Sequence, residues 1–248
     1  MRDVSDHVAI VTGGAGEIGA AIVADLLKAG ARVVVSDLDE ARAAAVISGL
    51  GAAADQAIPF GCDVSSEAAV DAMFAACEAA FGRCTLLVNV AGMLQQVSFE
   101  HMSADDWDRM IAVHLRGTFL CCRRAIGPML AAEDGVIINI ASQLGQIGGI
   151  DLCHYSAAKA GVIGLTKSLA REVSKRGVRV NAVAPGPIDT ELARGLSPEW
   201  RKKKTEELPL GRYGDCPEVA AAVLFLASPG AALFVGQTLG PNSGDVML

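Results

Sequence analysis

The chain has 248 residues, with 21 Lys and Arg against 28 Asp and Glu, for a formal net charge of −7. A balance this acidic argues against a surface that neutralises nucleic-acid phosphates or anionic membranes. Hydrophobic residues make up 52% and charged residues 20%, which excludes intrinsic disorder, and the 4% of aromatics leaves a core of Ala, Val, Ile and Leu.

The first apolar run, Val8-Ala9-Ile10-Val11, is short and β-branched and reads as a strand. It enters Thr12-Gly13-Gly14-Ala15-Gly16-Glu17-Ile18-Gly19 and then a helix over 18–29. A second strand, Arg32-Val33-Val34-Val35, ends at Ser36-Asp37-Leu38. Helical spacing follows over 40–48 and 66–81, the latter opened by Ser65-Ser66-Glu67, a hydroxyl ahead of a carboxylate. Thr85-Leu86-Leu87-Val88 is the next strand. One long helical stretch then covers 104–131, opened by Ser103-Ala104-Asp105-Asp106. Further strands are Gly135-Val136-Ile137-Ile138-Asn139-Ile140, Val178-Arg179-Val180 and Leu233-Phe234-Val235, separated by helices over 155–175 and 217–227. Gly30 and Gly177 follow helices, as left-handed stops do.

Near-continuous apolar strands are those buried on both faces, hence parallel. Their alternation with helices predicts an α/β fold, a doubly wound parallel sheet (Rossmann fold) with helices on both faces. It runs from 1 to 248 without a linker, so one domain is expected. The irregular stretch 185–215 holds four of the nine prolines and the basic run Arg201-Lys202-Lys203-Lys204. It follows the carboxyl end of a strand, where open α/β sheets bind ligands, and residues 186–215 read as a substrate lid. The basic run suits an acidic partner or, more simply, a solvated helix face.

The mean hydropathy of +0.38 raises a membrane question. The longest uncharged stretch, 219–244, is cut by Ser228-Pro229-Gly230, so no span of ~20 apolar residues is expected. Arg2, Asp3, Asp6 and His7 precede any apolar run, unlike a signal peptide. Seven cysteines without a C-x-x-C pair suit a reducing cytosol, so a cytoplasmic location is expected, and no metal ligand set is assigned. Adjacent Cys121 and Cys122 read as small helix residues.

The Gly-rich turn between a strand and a helix lets backbone approach a pyrophosphate and aims helix N–H groups at it. An acid about 20 residues further on, here Asp37, accepts hydrogen bonds from the adenosine ribose of NAD and repels the 2′-phosphate of NADP. No Lys or Arg stands at Leu38 or in the turn, so NAD(H) is expected over NADP(H).

These motifs, with Asp63-Val64, Asn89-Val90-Ala91-Gly92, Ser142, Tyr155-Ser156-Ala157-Ala158-Lys159 and Pro185-Gly186-Pro187-Ile188-Asp189-Thr190, resemble the classical short-chain dehydrogenase/reductase family in order and spacing. The resemblance covers essentially the whole chain. It implies Ser142, Tyr155 and Lys159 as catalytic residues. It also implies a dinucleotide held by Gly13, Gly16, Glu17, Ile18, Asp37, Leu38, Asp63, Val64, Asn89, Ala91, Gly92, Tyr155, Lys159, Pro185, Gly186, Ile188 and Thr190. Assembly as a homotetramer or homodimer through the long helices is implied as well.

Tyr155 and Lys159 are i and i+4 on a helix and share a face. A nearby ammonium lowers the tyrosine pKa from ~10, fitting it as general acid or base, while Ser142 holds the substrate oxygen. Three positions depart from the family pattern. Glu17 replaces a Gly, and its carboxylate is expected to point away from the pyrophosphate. Val90 replaces an Asn. His114 stands where the family commonly has an Asn that holds a relay water, and an imidazole with a pKa near ~6.5 suits proton transfer. A buried, backbone-satisfied His is the plainer reading. Met93, Leu94, Gln95, Gln143, Leu144, Ile147 and Leu152 lie close enough in sequence to line a pocket, and His154 is expected to face elsewhere.

The reading favoured by the sequence is an NAD(H)-dependent oxidoreductase interconverting a small-molecule secondary alcohol and a ketone. A 3-oxoacyl-thioester reductase is the first alternative; Asp37 stands against it, since the acyl-carrier reductases of this family mostly use NADPH. A non-catalytic dinucleotide-binding module is the second, and the intact Ser142, Tyr155 and Lys159 oppose it.

Overall fold

The computed structural model describes residues 3–194 and 197–247. Strand β1 (Val8–Thr12) is buried along its whole length, as expected of an apolar run covered on both faces. In chain order there follow α1 (Glu17–Lys28), β2 (Arg32–Asp37), α2 (Glu40–Gly49), β3 (Ala57–Gly61), α3 (Glu67–Phe81) and β4 (Leu86–Asn89). Then come α4 (Ala104–Ile111), α5 (Gly117–Ala131), β5 (Gly135–Ile140), α6 (Leu144–Ile147), α7 (Cys153–Val173) and β6 (Val178–Val183). The chain closes with α8 (Glu191–Arg194), α9 (Pro198–Glu207), α10 (Cys216–Ala227) and β7 (Thr238–Leu239).

The seven strands form one sheet in the order β3-β2-β1-β4-β5-β6-β7, with every neighbouring pair parallel. Successive side chains of β1 face opposite sides, as the two-residue period requires. Ala9 and Val11 pack with Ile22, Val23 and Leu26 of α1 and Val223 and Leu226 of α10. Val8 and Ile10 pack with Met73 and Phe74 of α3 and Leu120 and Met129 of α5. Helices therefore cover both faces. The strand order reverses between β1 and β4, and that switch opens a crevice at the carboxyl ends of the strands.

Three elements differ from the sequence reading. Strand β3 was not anticipated, because Pro59 interrupts its apolar run. Pro is tolerated there because, among the described residues, β3 is an edge strand that pairs only with β2. The single helix expected over 104–131 is broken by a π-helical turn at Ala112–Arg116. Residues 233–235 are not a strand: Leu233 is 95% exposed, and Phe234 is held by an edge-on contact with Phe225 at 5.0 Å and by Asn181 Nδ2 donating to its carbonyl at 2.8 Å. The seventh strand begins later, with Thr238 opposite Ala182. Among the described residues, no helix is long and apolar enough to cross a membrane.

Candidate active site

The turn after β1 is built for close backbone approach. Gly13 has φ of +64°, and a Cβ there would lie 2.7 Å from Ala91 Cα. A Cβ on Gly19 would overlap the Gly13 carbonyl. Gly16 precedes α1 without a side-chain cap, so the first N–H groups and the positive dipole end of α1 stay open to an anion. This cradle fits the pyrophosphate of a dinucleotide. Ile18 packs into the core behind it. The Glu17 carboxylate is engaged by the 186–215 segment: Oε2 accepts from Glu191 N at 2.6 Å and Oε1 pairs with the Arg194 guanidinium. These partners, the Glu191 amide first, hold its pKa below the usual carboxylate range.

At the end of β2, Asp37 Oδ2 accepts from Ala15 N at 3.1 Å, tying that carboxylate to the Gly-rich turn. Leu38 is 76% exposed. Arg42 of α2 donates from Nη2 to the Ala15 carbonyl at 3.2 Å, which places a cation at this end of the turn. Asp63 Oδ1 accepts from Ser65 N and Oγ at 2.9 and 2.7 Å. Val64 is buried beneath Gly117, where a Cβ would meet its Cγ2 at 2.8 Å.

Beyond β4, Thr12 Oγ1 accepts from the amides of Val90 and Ala91 at 3.2 and 3.3 Å, locking the first and fourth strand ends together. Asn89 Nδ2 donates to Asn139 Oδ1 at 2.8 Å, and Asn139 Nδ2 donates to Thr166 Oγ1 at 2.9 Å, so the polar groups between β4, β5 and α7 form a buried chain. Gly92 makes room for His114, since a Cβ would lie 2.5 Å from the imidazole Cε1. His114 sits in the π-helical turn and is 2% exposed. Its Nε2 lies 3.0 Å from Met93 N and 2.8 Å from Met93 O, accepting from the first in one tautomer and donating to the second in the other. Its Nδ1 is buried and has no hydrogen-bond partner among the described residues. Burial, then the Lys159 charge, pull its pKa down to about 3. The imidazole is thus neutral near pH 7, and the ordinary pKa assumed from sequence is corrected.

Ser142 follows β5 and is buried, its Oγ accepting from Leu144 N at 3.1 Å. Tyr155 and Lys159 project from α7. The Tyr155 ring meets the His114 ring edge-on at 5.3 Å, and Lys159 Nζ lies 5.8 Å from the Tyr155 centroid. The structure thus brings the four candidate catalytic side chains together. Burial raises the Tyr155 pKa, and a hydrogen bond with Ser142 partly offsets that. This reverses the direction expected from sequence. Burial outweighs the effect expected of the ammonium, and Lys159 Nζ itself donates to the Ile140 carbonyl at 2.6 Å. Burial pulls the Lys159 pKa down to about 8.

After β6, Gln143 N donates to the Pro185 carbonyl and Gly186 N to the Pro241 carbonyl, both at 3.1 Å. Ile188 is buried and bridges Gly214, and Thr190 Oγ1 accepts from Ala193 N at 3.4 Å. Of the pocket candidates, Gln95 is tied to α4 through Asp106 and Arg109. Leu152 is buried, whereas Ile147 is 56% exposed. His154 is fully buried, with neither ring nitrogen partnered among the described residues. Two members of the basic run are already claimed: Arg201 by Asp189 and Lys204 by Asp245, each at 2.7 Å. Arg42, Arg194 and Asp245 were missed in the sequence, because their partners are 27, 177 and 102 positions away.

A family model described as enoyl-(acyl carrier protein) reductase matches residues 13–244. The 3-oxoacyl-[acyl-carrier-protein] reductase FabG of Vibrio cholerae is 39% identical over 246 residues, covering 99% of this chain and 100% of that protein. The protein of the same name from Salmonella typhimurium is 37% identical over 97% of this chain and 98% of its own length. That of Staphylococcus aureus is 40% identical over 75% of each. With this sheet, this turn and this serine, tyrosine and lysine, the chain belongs to the classical short-chain dehydrogenase/reductase family and is an oxidoreductase. These relatives are named as reductases of 3-oxoacyl groups on acyl carrier protein.

These matches overturn the expectation of NAD(H) over NADP(H). The acyl-carrier reductases of the family are NADPH enzymes in the main, and it is such proteins that the chain matches along its length. Neither Leu38 nor the turn itself carries a cation. Arg42, in the first turn of α2, brings one to the turn from outside it, donating to the Ala15 carbonyl.

Proposed function

We propose that this protein reduces the 3-keto group of an acyl thioester carried on an acyl carrier protein to the 3-hydroxy group. The observation that carries the reading is the Ser142–Tyr155–Lys159 cluster at the switch of a sheet whose full-length relatives bear that name. The Gly13–Gly19 cradle, Asp37, Asp63, Asn89, Gly92 and the 185–190 segment hold the dinucleotide, which when bound supplies the hydride. The 186–215 segment acts as the substrate lid.

The protein's own task is to hold the carbonyl and deliver a proton. The Ser142 hydroxyl positions the carbonyl oxygen. Burial keeps the Tyr155 phenol protonated, which suits a general acid in the reducing direction. The Lys159 ammonium, 5.8 Å from the ring centroid, stabilises the phenolate left after transfer. A lysine pulled down to about 8 also gives up its own proton near neutrality. Neutral His114 acts as a hydrogen-bonding brace from Met93 to the Tyr155 ring.

A cytoplasmic location agrees with seven cysteines that are all free. Exposed Phe119, Ile150 and Phe225 suit a homotetramer or homodimer. The test is a comparison of acetoacetyl thioesters on acyl carrier protein with simple ketones and secondary alcohols, followed by dinucleotide absorbance. The reading predicts the highest kcat/KM for the carrier thioester; a simple ketone or alcohol turned over faster would overturn it.

A further inference from the structure

Near the carboxyl end of the chain, Asp245 joins two parts of the site that are far apart in sequence. Its carboxylate is only 11% exposed. Oδ2 accepts from Gln143 Nε2 at 2.6 Å, and Oδ1 accepts from Lys204 Nζ at 2.7 Å. Both are short, charge-assisted bonds. Lys204 belongs to α9, within the lid, and Gln143 is the neighbour of Ser142. The turn that presents Asp245 is itself held: Asp245 N donates to the Asn242 carbonyl at 3.0 Å, and Asn242 Nδ2 donates to the Val246 carbonyl at 2.7 Å. Leu210 N, at the far end of the lid, donates to the Ser243 carbonyl at 3.1 Å.

The pairing also sets which way the Gln143 amide faces. With Nε2 committed to Asp245, Oε1 is buried against Gly186, where a Cβ would lie 2.7 Å from it. The Gln143 backbone is pinned to Pro185 as well, so side chain and main chain of this one residue both clamp the loop that carries Ser142.

We propose that Asp245 is a positioning residue for the reaction: its carboxylate, gripped by Lys204 of the lid and by Gln143 beside Ser142, couples lid closure to the placement of the Ser142 hydroxyl. Displacing α9 removes the cation from a nearly buried carboxylate and loosens the anchor of the Gln143 amide. An acyl chain seated under the lid is then felt at the serine. The proposal rests on the reading of Ser142 as the hydroxyl that orients the substrate carbonyl.

The experiment compares Asp245→Asn, Asp245→Glu, Lys204→Met and the Asp245→Asn/Lys204→Met double variant on whichever carbonyl the native enzyme reduces fastest. Dinucleotide binding is titrated separately by protein fluorescence. Because small misplacement near the chemistry is costly, kcat is expected to fall about 10- to 100-fold in Asp245→Asn and in Lys204→Met, with dinucleotide affinity within about twofold of native. The double variant is expected to be no slower than the worse single one, since the two act as a unit, and Asp245→Glu to recover part of the rate. Unchanged kcat, multiplying losses, or a kcat loss matched by an equal loss of dinucleotide affinity would overturn the proposal. Where Asp245→Asn does not fold, Lys204→Met carries the test alone. Tyr155→Phe, run alongside, separates the two claims: normal turnover there refutes the catalytic reading of the site, whatever Asp245 does.

Discussion

Lys159 is buried as a cation, and its replacement by Met, of similar reach, sets function against stability. Its pKa falls from 10.5 to about 8 on folding. At ~1.36 kcal/mol per unit, holding the charged form in the folded protein costs about 3 kcal/mol at neutral pH. Between those two values the unfolded chain binds the proton and the folded one does not. The stability of the native enzyme therefore rises with pH through this window, and the cost is fully present below pH ~8. Met removes the cost but leaves the Ile140 carbonyl without its 2.6 Å donor, a loss of about 1–3 kcal/mol. At pH ~7 the variant is thus expected to be as stable as the native protein, or up to about 2 kcal/mol more so, while turnover falls by at least ~10²-fold. Urea unfolding of both proteins at pH ~7 and ~9.5 reads the difference directly. The native enzyme should gain about 2 kcal/mol on the variant between the two. A difference that does not change with pH would refute the burial of a charged Lys159.

Three further expectations are tested in the same way. With its pKa near 3, His114 stays neutral across the working range, so His114→Asn should leave the shape of the pH–rate profile unchanged; a limb near pH ~6.5 that vanishes in the variant would contradict this. Gly92→Ala places a methyl 2.5 Å from the imidazole and should displace it, costing about 1–3 kcal/mol in thermal or urea unfolding, whereas wild-type stability would show that the ring has room to move. Glu17→Gln removes the charge partner of Arg194 at the mouth of the cradle. Dinucleotide dissociation, followed by stopped-flow fluorescence, should quicken and lose its salt dependence; an unchanged rate would mean that this contact does not govern release.

The parts of the fold legible in sequence are those whose physics is local. The cradle follows from glycines between a buried strand and a helix, and Ser103 forms the expected cap, closed reciprocally by Asp106. Tyr155 and Lys159 share a helix face by spacing alone. What was not legible depends on neighbours. Pro59 conceals an edge strand that β2 completes, and Phe234 looks like strand until Asn181 and Phe225 claim it. The direction of the Tyr155 shift depends on how deeply the fold buries the phenol, which the spacing on one helix does not show. No spacing rule joins Asp245 to Gln143 or Glu17 to Arg194, because the sheet topology brings each pair together.

The central claim is that Tyr155 delivers a proton to a 3-oxoacyl thioester as that substrate is reduced. Its most direct test is the single-turnover rate of NADPH oxidation by acetoacetyl-loaded acyl carrier protein, measured for the native enzyme and for Tyr155→Phe. The account predicts 3-hydroxyacyl product with the native enzyme and a rate about 10²- to 10⁴-fold lower in the variant, with dinucleotide binding retained. No oxidation by the native enzyme, or an undiminished rate in the variant, would contradict it.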